Sequence, residues 1–332
     1  VFAIVVMIVA NGGLVLSEFV GIGAAAGLVG VNRLLVVALA AALVWGLVVF
    51  GSYDNVERIF LVLTLAFFTY PAAAVLARPD WAAVARGAVV PTLRPGTAFV
   101  LLVVALLGTT LTPYQQLFEQ SSVVEKSVPR QHYRPERFDT YVGMALSGLM
   151  AGFIVIAAAA TLHAHGATQI ATAADAARAL RPVAGNAAEM LFAVGLLGAS
   201  MLAAAVLPLA TAYAISEAFG FPKGVDLDFR RGRVFFGSFT ALIAGGAAAS
   251  LIPGLPVISL LVWVQALNGV LLPVILLFIL LLINDRDLVG ELANSRLTNA
   301  LGWGTLGIVT VAAMALLGTQ ALAWLGFASF GG

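Results

Sequence analysis

The chain has 332 residues, of which 61% are hydrophobic and only 10% are charged, and its formal net charge is +1. A soluble domain could not bury so much apolar surface, so the composition predicts an all-α polytopic membrane protein. The small net charge gives no basic surface for nucleic acid. The absence of cysteine excludes a disulfide framework, a thiolate metal site and a thiol nucleophile.

Nine apolar segments follow one another along the chain, separated by charges or turn residues. A helix needs roughly 20 residues to cross about 30 Å of hydrocarbon, and most of the segments are long enough with some tilt. They are predicted at residues 2–29, 34–50, 57–77, 97–126, 138–163, 186–219, 234–251, 255–283 and 300–326, with a short surface helix at 172–185. We expect one transmembrane domain over residues 1–332, present as a monomer in the lipid bilayer of the cell membrane.

The basic residues indicate an orientation for these spans. If Val1 starts on the cytoplasmic side, the loops on that side carry eleven Lys and Arg residues and the opposite loops carry six. An excess of Lys and Arg marks cytoplasmic loops. The eleven are Arg58, Lys126, Arg130, Arg134, Arg137, Lys223, Arg230, Arg231, Arg233, Arg286 and Arg296; the six are Arg33, Arg78, Arg86, Arg94, Arg178 and Arg181.

The fourth segment contains a polar stretch, GTTLTPYQQ, at residues 108–116. Pro113 has no N–H, so it leaves the carbonyl of Thr109 without its helical donor, next to the hydroxyl of Thr112. A carbonyl and a hydroxyl are hard oxygen ligands suited to a hard cation. The alternative is an ordinary proline kink in which the threonine hydroxyls bond back to the helix.

The residues after Pro113 predict a polar helix face. Gln115, Glu119 and Ser122 recur at i, i+4 and i+7 and, with Lys126, could line a vestibule open to the cytoplasm. A helix end that already lies in water would show the same residues. Both interpretations remain open from the sequence.

Three further polar residues lie inside apolar segments. Glu18 is the only charge in its segment, which makes it a functional candidate, although an ion pair with Lys126 would give it a structural role. Gln265 and Asn268 share a helix face ahead of Pro273. Their amide oxygens could coordinate a cation directly or through water, or could bond a neighbouring helix.

No enzyme signature is present in the sequence. HExxH, P-loop and GxSxG motifs are absent, and no pair of carboxylates falls in a plausible cleft. We therefore expect neither an enzyme nor a cofactor.

Several segments resemble the Nramp family of divalent metal transporters. They are ARPDWAAVARGAVVP before the fourth span, LHAHG after the fifth, and NDRDLVGELANSRLTNALGW between the eighth and ninth. The family has the LeuT fold, in which two inverted five-helix repeats have broken first and sixth helices. The resemblance implies that the nine spans are helices three to eleven and that GTTLTPYQQ is the broken sixth helix.

The resemblance also implies an ion site. Members of the family carry Ala-x-x-Met-Pro-His in the sixth helix, where the Ala carbonyl and the Met sulfur bind metal. Thr109 stands at the Ala position, Thr112 at the Met position and Tyr114 at the His position. Replacing a soft thioether by a hydroxyl removes the preference for Mn²⁺ or Fe²⁺ and suits a largely hydrated Mg²⁺. The chain thus resembles the Nramp-related magnesium transporters most.

Proton coupling is expected to be weak or absent. The family passes protons through the sixth-helix His and an Asp-x-x-Glu pair on helix three, whereas here those positions hold Tyr114, Val15 and Glu18. Tyrosine keeps its proton at neutral pH. Alternatives are a proton-coupled Mn²⁺/Fe²⁺ importer, a LeuT-fold transporter of organic solutes, and an inactive relative.

One family motif is missing. The first helix of the family carries Asp-Pro-Gly-Asn, whose Asp and Asn are the main metal ligands, and these 332 residues contain no such motif. We expect that helices one and two are absent and that the sequence is part of a longer transporter. Because the remaining candidate metal ligands carry no charge, the 332 residues alone are expected to transport poorly.

Overall fold

The computed structural model describes residues 2–51, 53–90, 92, 96–161 and 173–324, and the segment LHAHG lies outside them. These residues form helices and turns without a strand, so the prediction of an all-α protein is confirmed. The helices are α1 (Phe2–Leu28), α2 (Arg33–Phe50), α3 (Tyr53–Thr64), α4 (Thr69–Leu76), α5 (Trp81–Val89), α6 (Thr97–Thr110), α7 (Pro113–Glu125), α8 (Tyr133–Thr161), α9 (Ala173–Phe219), α10 (Arg233–Ser250), α11 (Val257–Asn284), α12 (Arg286–Val289) and α13 (Arg296–Trp324). Short 3₁₀ helices lie at Leu65–Phe68, Arg130–His132 and Gly290–Leu292.

Nine stretches of the described residues are long and apolar enough to cross a membrane, which confirms the predicted number of spans. They are Ile4–Leu28, Arg33–Phe50, Arg58–Leu76, Thr97–Glu125, Tyr133–Ala160, Met190–Phe219, Arg233–Ser250, Val257–Asn284 and Arg296–Leu322. The fifth begins five residues before its predicted start at 138. Charged residues in the first turns of α8 concealed that start, because long polar side chains are tolerated where a helix leaves the membrane.

The separate surface helix predicted at residues 172–185 is wrong. Those residues from Ala173 onward belong to α9, which continues to Phe219 without interruption. The segment is rich in alanine, the best helix former, so the backbone stays helical through Pro182 despite one missing N–H donor.

The chain forms two compact units. The first comprises Asn11–Pro91 and Phe118–Ile258, and the second comprises Phe2–Ala10, Thr92–Leu117 and Ser259–Gly332. The predicted single domain over residues 1–332 stays a prediction.

In the first unit, α9 lies at the centre and packs against α4 and α10, and a hydrogen bond joins it to α1. Side-chain hydrogen bonds, one buried and one partly buried, join α1 to α9 and α2 to α10. Asn11 Nδ2 donates to Thr211 Oγ1 at 2.7 Å, and Trp45 Nε1 donates to Thr240 Oγ1 at 2.8 Å. In a hydrocarbon environment such bonds hold helices together where the hydrophobic effect between helices is absent.

In the second unit, α6 and α11 meet backbone to backbone. A Cβ atom at Gly108 would lie 2.0 Å from the Gln265 carbonyl oxygen and 2.5 Å from the Gly269 nitrogen. A Cβ atom at Gly269 would lie 2.4 Å from the Val104 carbonyl oxygen. The contact therefore requires glycine on both helices, as in other close helix crossings in membranes. Val104, Ala105, Ala266 and Leu316 form the buried core beside it.

We expect Gly108→Ala to destabilise the protein, because the new methyl group forces α6 and α11 apart. Overpacking of this kind costs about 1–3 kcal/mol. Thermal unfolding of the purified protein in detergent should show a lower midpoint. Gly304→Ala is the matched control, since a Cβ atom there meets no atom within 4 Å. Equal midpoints for the two variants would contradict the backbone contact.

Candidate functional site

The break predicted at Pro113 is present in the structure. The last residues of α6 are closed by a hydrogen bond of 3.0 Å from the Leu111 N–H to the Leu107 carbonyl. Leu111 then leaves the helical region with φ −121° and ψ 49°, and α7 begins at Pro113. Because Pro113 offers no N–H, the carbonyl of Thr109 loses its regular donor at this point.

A chain of side-chain hydrogen bonds connects α11 to the end of α6. Asn268, which is 2% exposed, donates from Nδ2 to Gln265 Oε1 at 3.1 Å. Gln265 in turn donates from Nε2 to Thr109 Oγ1 at 3.1 Å. Three of the four predicted metal residues are thus in direct contact.

The fourth predicted metal residue, Thr112, lies in the break itself and is 3% exposed. Its hydroxyl donates to Gln115 Oε1 at 3.3 Å, and the Gln115 N–H donates to the Thr112 carbonyl at 3.2 Å. The order Thr-Pro-Tyr-Gln has the residue pattern of a capping box with proline in the first helical position. The Thr112 carbonyl accepts the Gln115 N–H in the first turn of α7, while the Thr112 hydroxyl oxygen keeps lone pairs that can face a cation.

Sequence reasoning did not select Gln116, which lies one turn after Thr112. Its Oε1 atom is buried and accepts no hydrogen bond from the described residues. A buried acceptor without a donor is unfavourable, so this oxygen is available to accept a hydrogen bond from water or to bind a cation. The spacing of four residues from Thr112 was the available signal, because it puts both side chains on one helix face.

The atoms at the break that could coordinate a cation are neutral oxygens. They belong to hydroxyls, side-chain amides and the Thr109 carbonyl. No cluster of three or more His, Asp or Glu side chains that could hold a metal occurs in the part of the chain that the structure describes. Neutral oxygens suit a hard cation that keeps most of its water, whereas a fully dehydrated transition metal needs charged or softer ligands.

The predicted pathway residues on α7, and Lys126 directly after it, differ in how far they are exposed. Tyr114 is half-buried, while Gln115, Glu119 and Lys126 are exposed. Glu119 Oε1 accepts a hydrogen bond of 3.3 Å from Thr140 Oγ1 of α8. Gln115 and Glu119, four residues apart, are exposed on one helix face, whereas Ser122, the third residue predicted on that face, is half-buried.

Glu18 belongs to the first unit, where it is half-buried on α1. Its carboxyl is hydrogen-bonded to Ser200 of α9, and the Gly21 backbone of α1 comes close to the same serine. The structure gives Glu18 a hydroxyl partner, which is compatible with either a proton-carrying or a structural role.

A comparison with protein families matches residues 1–319 to the model described as natural resistance-associated macrophage protein-like, or Nramp. Among curated relatives, the divalent metal cation transporter MntH of Ralstonia nicotianae is 32% identical over 275 residues, 79% of this chain and 60% of that protein. MntH of Aeromonas hydrophila is 29% identical over 298 residues, 86% of this chain and 69% of that protein. The chain thus spans about 60% of the length of the Ralstonia relative.

The fold has a solved counterpart. The crystal structure of the Eremococcus coleocola manganese transporter, in complex with an aromatic bis-isothiourea substituted compound, gives a TM-score of 0.64 at 15% identity. The alignment covers 97% of this chain and 72% of that one. At this identity the likeness shows the fold alone, which is the LeuT-like fold predicted from the sequence.

We expect Gln116→Leu to leave the unfolding midpoint unchanged or to raise it, because the substitution removes a buried acceptor without a donor. If the oxygen serves a cation, the same variant should lose part of the stabilisation that millimolar divalent cation gives. Thermal unfolding with and without the cation measures both effects. Gln120→Leu, one turn further along α7 and exposed, is the control. A lower midpoint without cation would show that Gln116 is structural.

Proposed function

The chain belongs to the Nramp family, and on that premise we propose that it carries divalent metal cations across the cell membrane, with the cation bound at the break between α6 and α7. The observation that carries the proposal is the interrupted helix itself, with Thr109, Gln265 and Asn268 hydrogen-bonded beside it. Irregular backbone at membrane depth is tolerated where it is buried in protein or lines a cavity. The expectation that the chain is not an enzyme is confirmed by its family, whose matched relatives are named as transporters.

We propose Mg²⁺ as the preferred cation. Thr112 supplies a hydroxyl where a sulfur ligand would favour softer ions, and the amides of Gln265 and Asn268 supply further neutral oxygens. These groups can accept hydrogen bonds from the water shell that Mg²⁺ gives up reluctantly. A Mn²⁺ carrier is the alternative, since a hydroxyl and amide oxygens also suit that ion.

We further propose that transport is driven by the membrane potential with little or no proton coupling. Tyr114 and Val15 offer no group that titrates near neutral pH, which leaves Glu18 as the only carboxylate of the three positions. A divalent cation gains about 4.6 kcal/mol from a potential of 100 mV, at about 2.3 kcal/mol per charge. That is enough to concentrate the ion without a second gradient. The monomeric state stays a prediction.

Thr112→Met should shift selectivity toward soft ions. A thioether at this position is expected to raise Cd²⁺ or Mn²⁺ affinity about tenfold relative to Mg²⁺, which corresponds to about 1.4 kcal/mol. Isothermal titration of the purified protein with each ion measures the change. Thr112→Ala is the control, and it should weaken binding without unfolding the protein, because one hydroxyl bond is worth about 1 kcal/mol. An unchanged ion preference in Thr112→Met would mean that Thr112 does not face the ion.

Proteoliposomes test the coupling. With an inside-negative potential, we expect Mg²⁺ uptake without acidification of the lumen, and Mn²⁺ should compete with it. A pH-sensitive dye and a Mg²⁺ dye in the same liposomes record the two fluxes. Proton entry that rises in proportion to metal entry would overturn uncoupled transport and favour the proton-coupled importer. Binding of no divalent ion at all would favour an organic-solute carrier or an inactive relative.

A further inference from the structure

The C-terminal end of α7 is tied to the end of α9 through one carboxylate. Ser121, which is buried, donates from Oγ to Glu217 Oε1 at 2.8 Å. The same oxygen accepts a hydrogen bond from Lys223 Nζ in the loop that follows α9. Glu217 is therefore the point at which α7, α9 and this loop meet.

A second carboxylate ties α7 to the same loop. Glu125 Oε1 accepts a hydrogen bond of 3.1 Å from the Val225 N–H. The preceding residue, Gly224, has φ +133°, and a Cβ atom there would lie 2.9 Å from Glu125 Oε1. Only glycine allows both this backbone conformation and the close approach of the carboxylate.

Aromatic packing adds an apolar contact one turn earlier. The Phe118 ring of α7 lies 6.2 Å from the Tyr213 ring of α9, and Tyr213 meets Phe235 of α10 edge to face at 4.8 Å. Tyr213 is buried, so Phe118 packs here on the core of the first unit. We call the group Ser121, Glu125, Glu217 and Lys223 the α7 latch.

We propose that Lys223 and Glu217 are positioning residues for transport, which hold α7 in place through the α7 latch and release it when an ion passes to the cytoplasm. The inference rests on the proposed function, because α7 begins at Pro113, directly after the proposed ion site. α7 is continuous from Pro113 to Glu125, so the α7 latch acts on the far end of the helix that starts at the break.

The partial exposure of the Lys223–Glu217 ion pair favours a contact that opens during transport over one that holds α7 permanently. The side chains of Lys223 and Glu217 are 32% and 21% exposed. Water screens a pair with this exposure and keeps it weak, so thermal motion can break it in each transport cycle. A fully buried pair could not be separated without a large loss of stability.

Site-directed cysteine labelling tests the α7 latch, since the chain contains no cysteine. Ser122→Cys puts one thiol in the cavity that α7 lines together with α3 and α9, where Phe60 and Leu209 also contribute to the wall. With this reporter, Lys223→Ala should raise the rate of modification by a membrane-impermeant thiosulfonate about three- to fivefold, the population shift expected from losing a weak pair. Lys223→Arg should keep the original rate, and so should Arg230→Ala, which removes a charge from the same loop.

A second variant opens the latch by another route. Gly224→Ala displaces the Glu125 carboxylate while Lys223 and Glu217 stay in place, and it should raise the modification rate as well. Unchanged rates in both Lys223→Ala and Gly224→Ala would overturn the proposal. Labelling does not depend on ion movement, so faster labelling without any ion flux would support the latch and contradict the proposed function instead.

Discussion

The backbone contact between α6 and α11 is the constraint on which the candidate site depends. Gly108 precedes Thr109, and Gly269 follows Asn268, so the glycines that allow the two helices to touch flank the polar residues. An interrupted helix in hydrocarbon needs neighbouring protein to surround its unpaired groups. The contact brings the polar face of α11 to the break and sets Gln265 opposite Thr109 at hydrogen-bond distance.

The site that results is polar but carries no formal charge. Gln265 accepts a hydrogen bond from Asn268 and donates one to Thr109. The Thr112 hydroxyl donates to Gln115. An entering cation must therefore compete with bonds that already satisfy these groups, each of which is worth about 1 kcal/mol net. A hydrated ion can do so with little loss, because its waters donate to the same oxygens that the side chains now share.

Much of this arrangement could be predicted from the sequence, and the rest depends on tertiary packing. Pro113 and Gly108 predict the break by local backbone chemistry, and the helical spacing of Gln265 and Asn268 predicts their common face. The continuity of α9 through Pro182 was not predicted, although its alanine-rich sequence favours a helix, because a proline leaves one carbonyl without its helical donor and so indicates a break. The burial of Gln116 Oε1 could not be predicted either. Sequence spacing indicates on which helix face a side chain lies, but not which neighbouring groups bury it.

The α7 latch was beyond sequence reasoning for the same reason. Ser121 and Glu217 are separated by 96 positions along the chain, and no local pattern links them. Ser121 nevertheless lies on the helix that begins at the break. α7 therefore starts at Pro113, and its other end is held through two carboxylates, those of Glu125 and Glu217. The end of α7 is held in part by a weak, partly exposed ion pair, so it can exchange between two positions without unfolding, because only contacts made by side chains need to change. The sequence specifies the start through Pro113, whereas only the fold specifies the end.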